Sequence, residues 1–277
     1  MVMHNALALE ADDDLQPILV RADPNGLAYD RHADSLFVAD GYSGAILRIE
    51  GHRQRRLATI DSGGGLGTNR IGGLAITPYG TLYVTRLGYG ESGTIFRIEP
   101  DGQTEALERL PRQYWRLGVT YDPTEHTLYA TQYLTSKQGA HGGEIVVIDL
   151  VTGEPSTILD GFAKPIGIVK LDSTLVVTDA RQRAVFRVDL VAGRAVRRLQ
   201  LVADIGRPDS LCVCSQDSVL VTSYDEDTQR GSVRRLWLDG RTRGIASGPW
   251  EPRGVSTDGQ RVFVSSRRGG RVLVFAL

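Results

Sequence analysis

Gly72-Gly73-Leu74-Ala75, then Leu82-Tyr83-Val84-Thr85-Arg86, then Thr94-Ile95-Phe96-Arg97-Ile98-Glu99 is the stretch that decides the fold. It reads as a small turn, a strand, a break, a second strand ending in Val-Thr plus a polar residue, and a third strand. The same phrase precedes it as Pro24-Asn25-Gly26-Leu27, Leu36-Phe37-Val38-Ala39-Asp40 and Ala45-Ile46-Leu47-Arg48-Ile49-Glu50. It recurs downstream from Leu117-Gly118-Val119, from Pro165-Ile166-Gly167, from Pro208-Asp209-Ser210 and from Pro252-Arg253-Gly254. The period is roughly 45 residues, the length of a four-stranded propeller blade. Six copies predict an all-β, six-bladed β-propeller with no appreciable helix.

Each blade needs a fourth strand, and candidates follow the third strands at Arg55–Ile60, Gln103–Glu108, Ser156–Leu159, Val196–Leu201 and Thr242–Ala246. The sixth copy has none, because Leu277 ends its third strand. The spare strand is Leu15-Gln16-Pro17-Ile18-Leu19-Val20, which is expected to pair onto the outside of blade six and close the ring, removing open edges. Pro17 suits an outermost strand. The organisation is a polar tail over residues 1–14 and one propeller domain over 15–277.

Lys and Arg number 32 against 33 Asp and Glu, so no bulk charge draws the chain to nucleic acid or an anionic membrane. The expected partner is a small molecule, with the protein a monomer or weak homo-oligomer. Cys212 and Cys214 are the two cysteines; two apart on a strand they share a face and read as small hydrophobes packed between blades, which fits a cytoplasmic, reducing location.

The repeat assigns faces. First-to-second turns lie on the bottom; second-to-third and between-blade loops lie on top, where the long segments Asp61–Arg70, Leu87–Gly93, Tyr133–Gly143 and Tyr224–Gly231 fall. Function is expected on those loops. Two rings are expected around the axis there. One is Asn25, Gly72, Leu117, Ile166, Asp209 and Arg253; the other closes the second strands with Asp40, Arg86, Gln132, Asp179, Ser223 and Ser266. Asp209, Arg253 and Asn25 come from neighbouring blades opposite the apolar Leu117 and Ile166, a half-polar mouth suited to a small ligand. Asp209 and Arg253 either bind a ligand or neutralise each other. Asn25, Arg86, Gln132, Asp179 and Asp40 are the candidate substrate contacts, Asp40 and Asp179 having the alternative task of binding loop amides. Arginines gather in top segments (Arg70, Arg86, Arg112, Arg116, Arg181, Arg207 and Arg267 among them) and point to an anionic substrate or to a solvated, balanced face. His141, in Gly139-Ala140-His141-Gly142-Gly143, is the histidine placed on a long top loop and a candidate proton carrier. Gly63-Gly64-Gly65-Leu66-Gly67 precedes no helix and reads as a between-blade loop.

At these repeats the chain resembles the six-bladed superfamily of NHL-repeat, strictosidine-synthase-like and gluconolactonase/senescence-marker proteins. The gluconolactonase-like branch implies lactone hydrolysis with a divalent ion, usually calcium, at the top of the channel. Its Pro-Asp-Gly turn is matched by Pro208-Asp209-Ser210, which carries a metal-ligand role to Asp209, with Asn25 as a second oxygen donor. Virginiamycin-lyase-like propellers, with one more blade, place a catalytic histidine on a top loop, as His141 would be. The resemblance implies a lactone or ester hydrolase in which Asp209 positions water or metal, Arg253 and Arg86 hold the oxyanion, and His141 or Tyr224 moves protons. The alternatives are a metal-free lyase, isomerase or cyclase in the same pocket, and a non-catalytic binding propeller.

Overall fold

Valine, isoleucine and aromatic residues at strand spacing have one outlet in this chain: sheets buried against other sheets. The computed structural model describes residues 16–20, 22–61, 70–88, 92–134, 142–267 and 269–277. Strand β1 (Ile18–Leu19) comes first. Blade one is β2 (Pro24–Asp30), β3 (Ser35–Asp40), β4 (Ala45–Glu50) and β5 (Arg53–Thr59). Blade two is β6 (Ile71–Ile76), β7 (Leu82–Arg86), β8 (Thr94–Ile98) and β9 (Thr104–Ala106). Blade three is β10 (Tyr114–Asp122), β11 (Thr127–Leu134), β12 (Gly143–Asp149) and β13 (Pro155–Phe162). Blade four is β14 (Pro165–Leu171), β15 (Thr174–Asp179), β16 (Ala184–Val191) and β17 (Arg194–Ala203). Blade five is β18 (Arg207–Ser215), β19 (Ser218–Asp225), β20 (Arg230–Trp237) and β21 (Thr242–Gly248). Blade six is β22 (Pro252–Thr257), β23 (Arg261–Ser266) and β24 (Arg271–Ala276), completed by β1. The chain is therefore a six-bladed, all-β propeller, with antiparallel blades and no helix among the described residues.

The latch forms where the sequence placed it, but shorter. Ile18 lies opposite Val272 and Leu19 opposite Arg271, and the Val20 amide donates to the Gly270 carbonyl at 2.9 Å. Val20, Leu27, Phe263 and Val272 then share one buried cluster, so the latch is apolar as well as hydrogen-bonded. Five further clusters fill the remaining joints between blades; Phe162 from blade three, for example, meets Phe186 from blade four edge-on. The second strands, packed between neighbouring blades, are buried throughout β3, β7 and β15. The outer β5, with Arg53-Gln54-Arg55-Arg56, is exposed.

Every inner strand carries the same irregularity. The register slips between Pro24 and Leu27, Ile71 and Leu74, Arg116 and Val119, Pro165 and Ile168, Pro208 and Leu211, and Pro252 and Val255. Such a bulge inserts one extra residue, sets two residues opposite one and frees backbone groups there. The Val-Thr ending of the second strand uses them. Thr178 Oγ1 accepts from the Gly167 amide (2.7 Å) and donates to the Asp209 carbonyl of the next blade (2.6 Å). Thr131 does the same for Gly118 and Ile166, and Ser265 for Gly254 and Asn25. Thr85 reaches the Leu117 carbonyl. Glycine makes the approach possible: a Cβ on Gly118 would stand 2.2 Å from the Ile166 carbonyl oxygen, and one on Gly254 2.3 Å from that of Asn25. Blade five has Ser210 at this position, and Thr222 turns back to the Ser210 carbonyl instead of crossing to blade six.

Two expectations about loops are corrected. Tyr224–Gly231 is no long loop, because β19 and β20 pair as far as Asp225 and Arg230 and leave a tight turn. Arg116 is not in a loop either: β10 begins at Tyr114, and Arg116 is wholly buried. Its Nη1 donates to the Gly93 and Pro111 carbonyls, and burial, then Arg112, pushes its guanidinium down to about 10.

Candidate functional site at the axial mouth

The bulge sets Asn25, Gly72, Leu117, Ile166, Asp209 and Arg253 at equivalent positions of the six blades, and blades five and six supply the charged pair. Asp209 on β18 and Arg253 on β22 meet at 3.3 Å, Nη1 to Oδ2. Arg253 Nη2 also donates to Glu251 at 3.0 Å. Glu251 in turn holds Arg207 at 3.0 Å and Arg267 at 3.6 Å, while Arg207 gives its other nitrogen to Glu226 at 2.8 Å. The result is a chain of alternating charge across the joint of blades five and six. The Asp209 side chain is 13% exposed. Its carboxyl is raised above the usual range by burial, against the downward pull of Arg253, Arg207 and Lys164. A carboxyl so placed gives and takes protons nearer neutral pH than a surface aspartate.

Asn25 stands beside Arg253 in a pocket of about 310 Å³ that also has Tyr42, Arg70 and Arg267 in its wall. Its amide Nδ2 donates to the Ile71 carbonyl at 2.9 Å, tying blade one to blade two.

The second ring does not serve the mouth as expected. Asp40, Arg86, Gln132 and Asp179 are all buried. Asp40 accepts the amides of Asp23 and Tyr42. Asp179 accepts those of Ala163, Lys164, Arg181 and Gln182. Arg86 donates to the Ser92 and Asp61 carbonyls and lies over Phe96, and Gln132 donates to Glu144. Second-strand ends sit a full strand away from the axis, so their polar atoms go to the loops they support. Tyr224 is likewise buried; its hydroxyl donates to Gln229 and its ring carries the Arg207 guanidinium. His141, the Gly63–Gly67 run and the 1–14 tail lie outside the described residues.

Residues one step earlier carry further chemistry, of which the sequence reading singled out the arginines and not Lys164. Immediately before the bulge-opening residue stand Asp23, Arg70, Lys164, Arg207 and Glu251; only blade three departs, with Trp115. Aligning the repeats at that column is the signal that finds Lys164 and Glu251.

The mouth does not fit calcium. That ion takes six or more oxygens. Of the bulge positions, Gly72, Leu117 and Ile166 offer no side-chain oxygen, Asn25 offers one, and Asp209 already faces Arg253 with Arg207 and Lys164 near. No group of three or more His, Cys, Asp or Glu residues able to hold a metal occurs among the described residues.

A cavity of about 980 Å³ runs along the inner strands, walled by Leu27, Leu74, Val119, Ile168 and Leu211, with Arg31, Asp172 and Gln216 also in its lining. Cys212 and Cys214 share this wall besides packing between blades, and burial pushes the Cys212 thiol well up. No helix among the described residues is long and apolar enough to cross a membrane.

No protein-family model matches the chain, and no curated protein matches its sequence. Solved structures do. A gluconolactonase from Xanthomonas campestris is similar at a TM-score of 0.77 and 17% identity, over 100% of this chain and 94% of that one. Regucalcin from Agrobacterium tumefaciens, a calcium-binding protein, is similar at 0.67 and 15%, over 94% and 90%. Virginiamycin B lyase from Staphylococcus aureus is similar at 0.65 and 14%, over 95% and 99%. The chain has the fold of gluconolactonase- and regucalcin-like six-bladed propellers.

Proposed function

We propose that this chain is a metal-independent hydrolase that opens a lactone or ester of a small, polar, anionic molecule at the axial mouth. The observation that carries this reading is the nearly buried Asp209, raised above the usual carboxylate range and 3.3 Å from Arg253. The ionised carboxylate takes a proton from water, and the water oxygen bonds to the acyl carbon. The bond from the acyl carbon to the leaving oxygen then breaks, and the proton passes to the departing alkoxide, leaving a hydroxy acid from a lactone or an acid and an alcohol from an ester. A raised carboxyl suits a base working near neutral pH. Arg253, anchored by Glu251, stands where it can meet the developing oxyanion.

Asp209→Asn should lower kcat by roughly 10²–10⁴-fold, and Arg253→Ala by roughly 10²–10³-fold. A panel of aldonolactones and aryl esters, each assayed against both variants, is the measurement; full turnover in both variants ends this assignment. The pH profile is a second check. Because Asp209 must be ionised to act and its pKa is raised, kcat/KM should climb with pH on a limb displaced above the ordinary carboxylate range. Two observations favour a second reading, metal-free elimination: the mouth lacks a calcium donor set, and the chain is similar in structure to a lyase propeller. Product formed in heavy-oxygen water separates the two, since only hydrolysis incorporates the label.

A further inference from the structure

Beside the Asp209–Arg253 pair, between blades three, four and five, lies a second pocket of about 350 Å³. Its described wall includes Lys164, Arg181, Arg207 and Tyr133, and no acidic side chain. Three cations facing one small space without a carboxylate among them are costly unless an anion joins them.

The pocket is built rather than accidental. The buried Asp179 accepts the backbone amides of both Lys164 and Arg181, fixing together the two connections that present them. Arg207 is held by Glu226 and Glu251 and backed by the Tyr224 ring at 5.5 Å. Lys164 differs from Arg207: no described carboxylate lies within ion-pair distance of its ammonium. Burial lowers its pKa, and Arg207, Arg253 and Arg181 lower it further, with Asp209 alone opposing. A compact oxyanion in the pocket would relieve that repulsion and leave Asp209 free at its edge.

We propose that the Lys164–Arg181–Arg207 pocket is an oxyanion subsite that anchors the carboxylate or phosphate of the substrate, with the reacting acyl group reaching the neighbouring Asp209. This deepens the hydrolase reading by naming an acid-bearing substrate class. It rests on that reading only for the reaction, because anion binding is measurable without turnover.

The test is calorimetric titration of the intact chain with inorganic phosphate and, separately, with malonate. Saturable binding of either supports the subsite, and the tighter anion identifies which group the substrate bears. Lys164→Gln should weaken that binding by roughly tenfold or more, while Lys164→Arg, which keeps the charge, should retain it. Asp209→Asn should bind as well as or better than the parent chain while losing turnover. Absence of saturation by both anions, or equal affinity in Lys164→Gln and the parent, overturns the proposal. Anion binding that depends on Lys164, together with no turnover of any lactone or ester by the parent chain, would leave the subsite standing and remove the hydrolase reading instead.

Discussion

Thr178 does two jobs with one oxygen, accepting from its own blade and donating to the next, and both partners are backbone groups freed by a bulge. Thr178→Val keeps the shape and removes the oxygen, stranding an amide and a carbonyl at the joint. The expected loss is about 1–3 kcal/mol of stability, read from urea denaturation. Gly118→Ala should cost more, since its new methyl would overlap the Ile166 carbonyl and push two blades apart. The Val-Thr ending was plain in the sequence, but its purpose was not, because Thr178 reaches a residue 31 positions away. The same limit explains the site. Asp209 was legible through its Pro-Asp turn and Arg253 through its matching column. Lys164 and Glu251 emerge only when the column before each bulge is aligned, and their roles show only in space, where Glu251 reaches Arg207 of blade five and Lys164 feels Asp209 and Arg207.

At the level of strands and turns, the bottom turns are held by aspartates. Asp149 accepts the amides of Val151 and Thr152, and Asp239 that of Arg241. Both carboxyls are held below their usual range, Asp149 by the Thr152 and Val151 amides and Asp239 by the Arg241 amide and side chain. A carboxyl depressed in the folded state stabilises above its unfolded pKa and loses that contribution as pH falls through the folded one. The stability gap between the parent and Asp149→Ala should therefore shrink on acidification, as thermal melts at stepped pH will show. The latch is the other decisive element. Its position was legible because the sixth copy lacks an outer strand, and its brevity was not, because pairing there depends on the opposite edge of β24. Val20→Asp places a charge among Leu27, Phe263 and Val272 and should cost roughly 2–4 kcal/mol. It should also bare the β24 edge and give concentration-dependent oligomers in light scattering.

For the whole molecule, six-fold repetition made the architecture readable, while the proposed site lies where the repetition fails. Calcium coordination would need oxygens that Leu117 and Ile166 do not carry, so prolonged treatment with a chelator should leave both turnover and melting temperature unchanged. A loss of either on chelation, restored by calcium, would refute the metal-independent mechanism. Where blade four is stitched to blade five by a neutral hydroxyl, blade five meets blade six through the Arg253–Asp209 and Arg207–Glu251 contacts. This makes one link of the ring an electrical clasp, sensitive to ionic strength and to whatever acid occupies the neighbouring hollow. A visitor that draws Arg253 away from Asp209 would loosen this link beside the proposed site, leaving the apolar cluster of Leu220, Trp250 and Val255 to hold the joint. Amide exchange at Ser210, whose partner Thr222 turns back within blade five, should then quicken with salt, while Gly118 and Gly167, whose hydroxyl partners bridge two blades, stay slow.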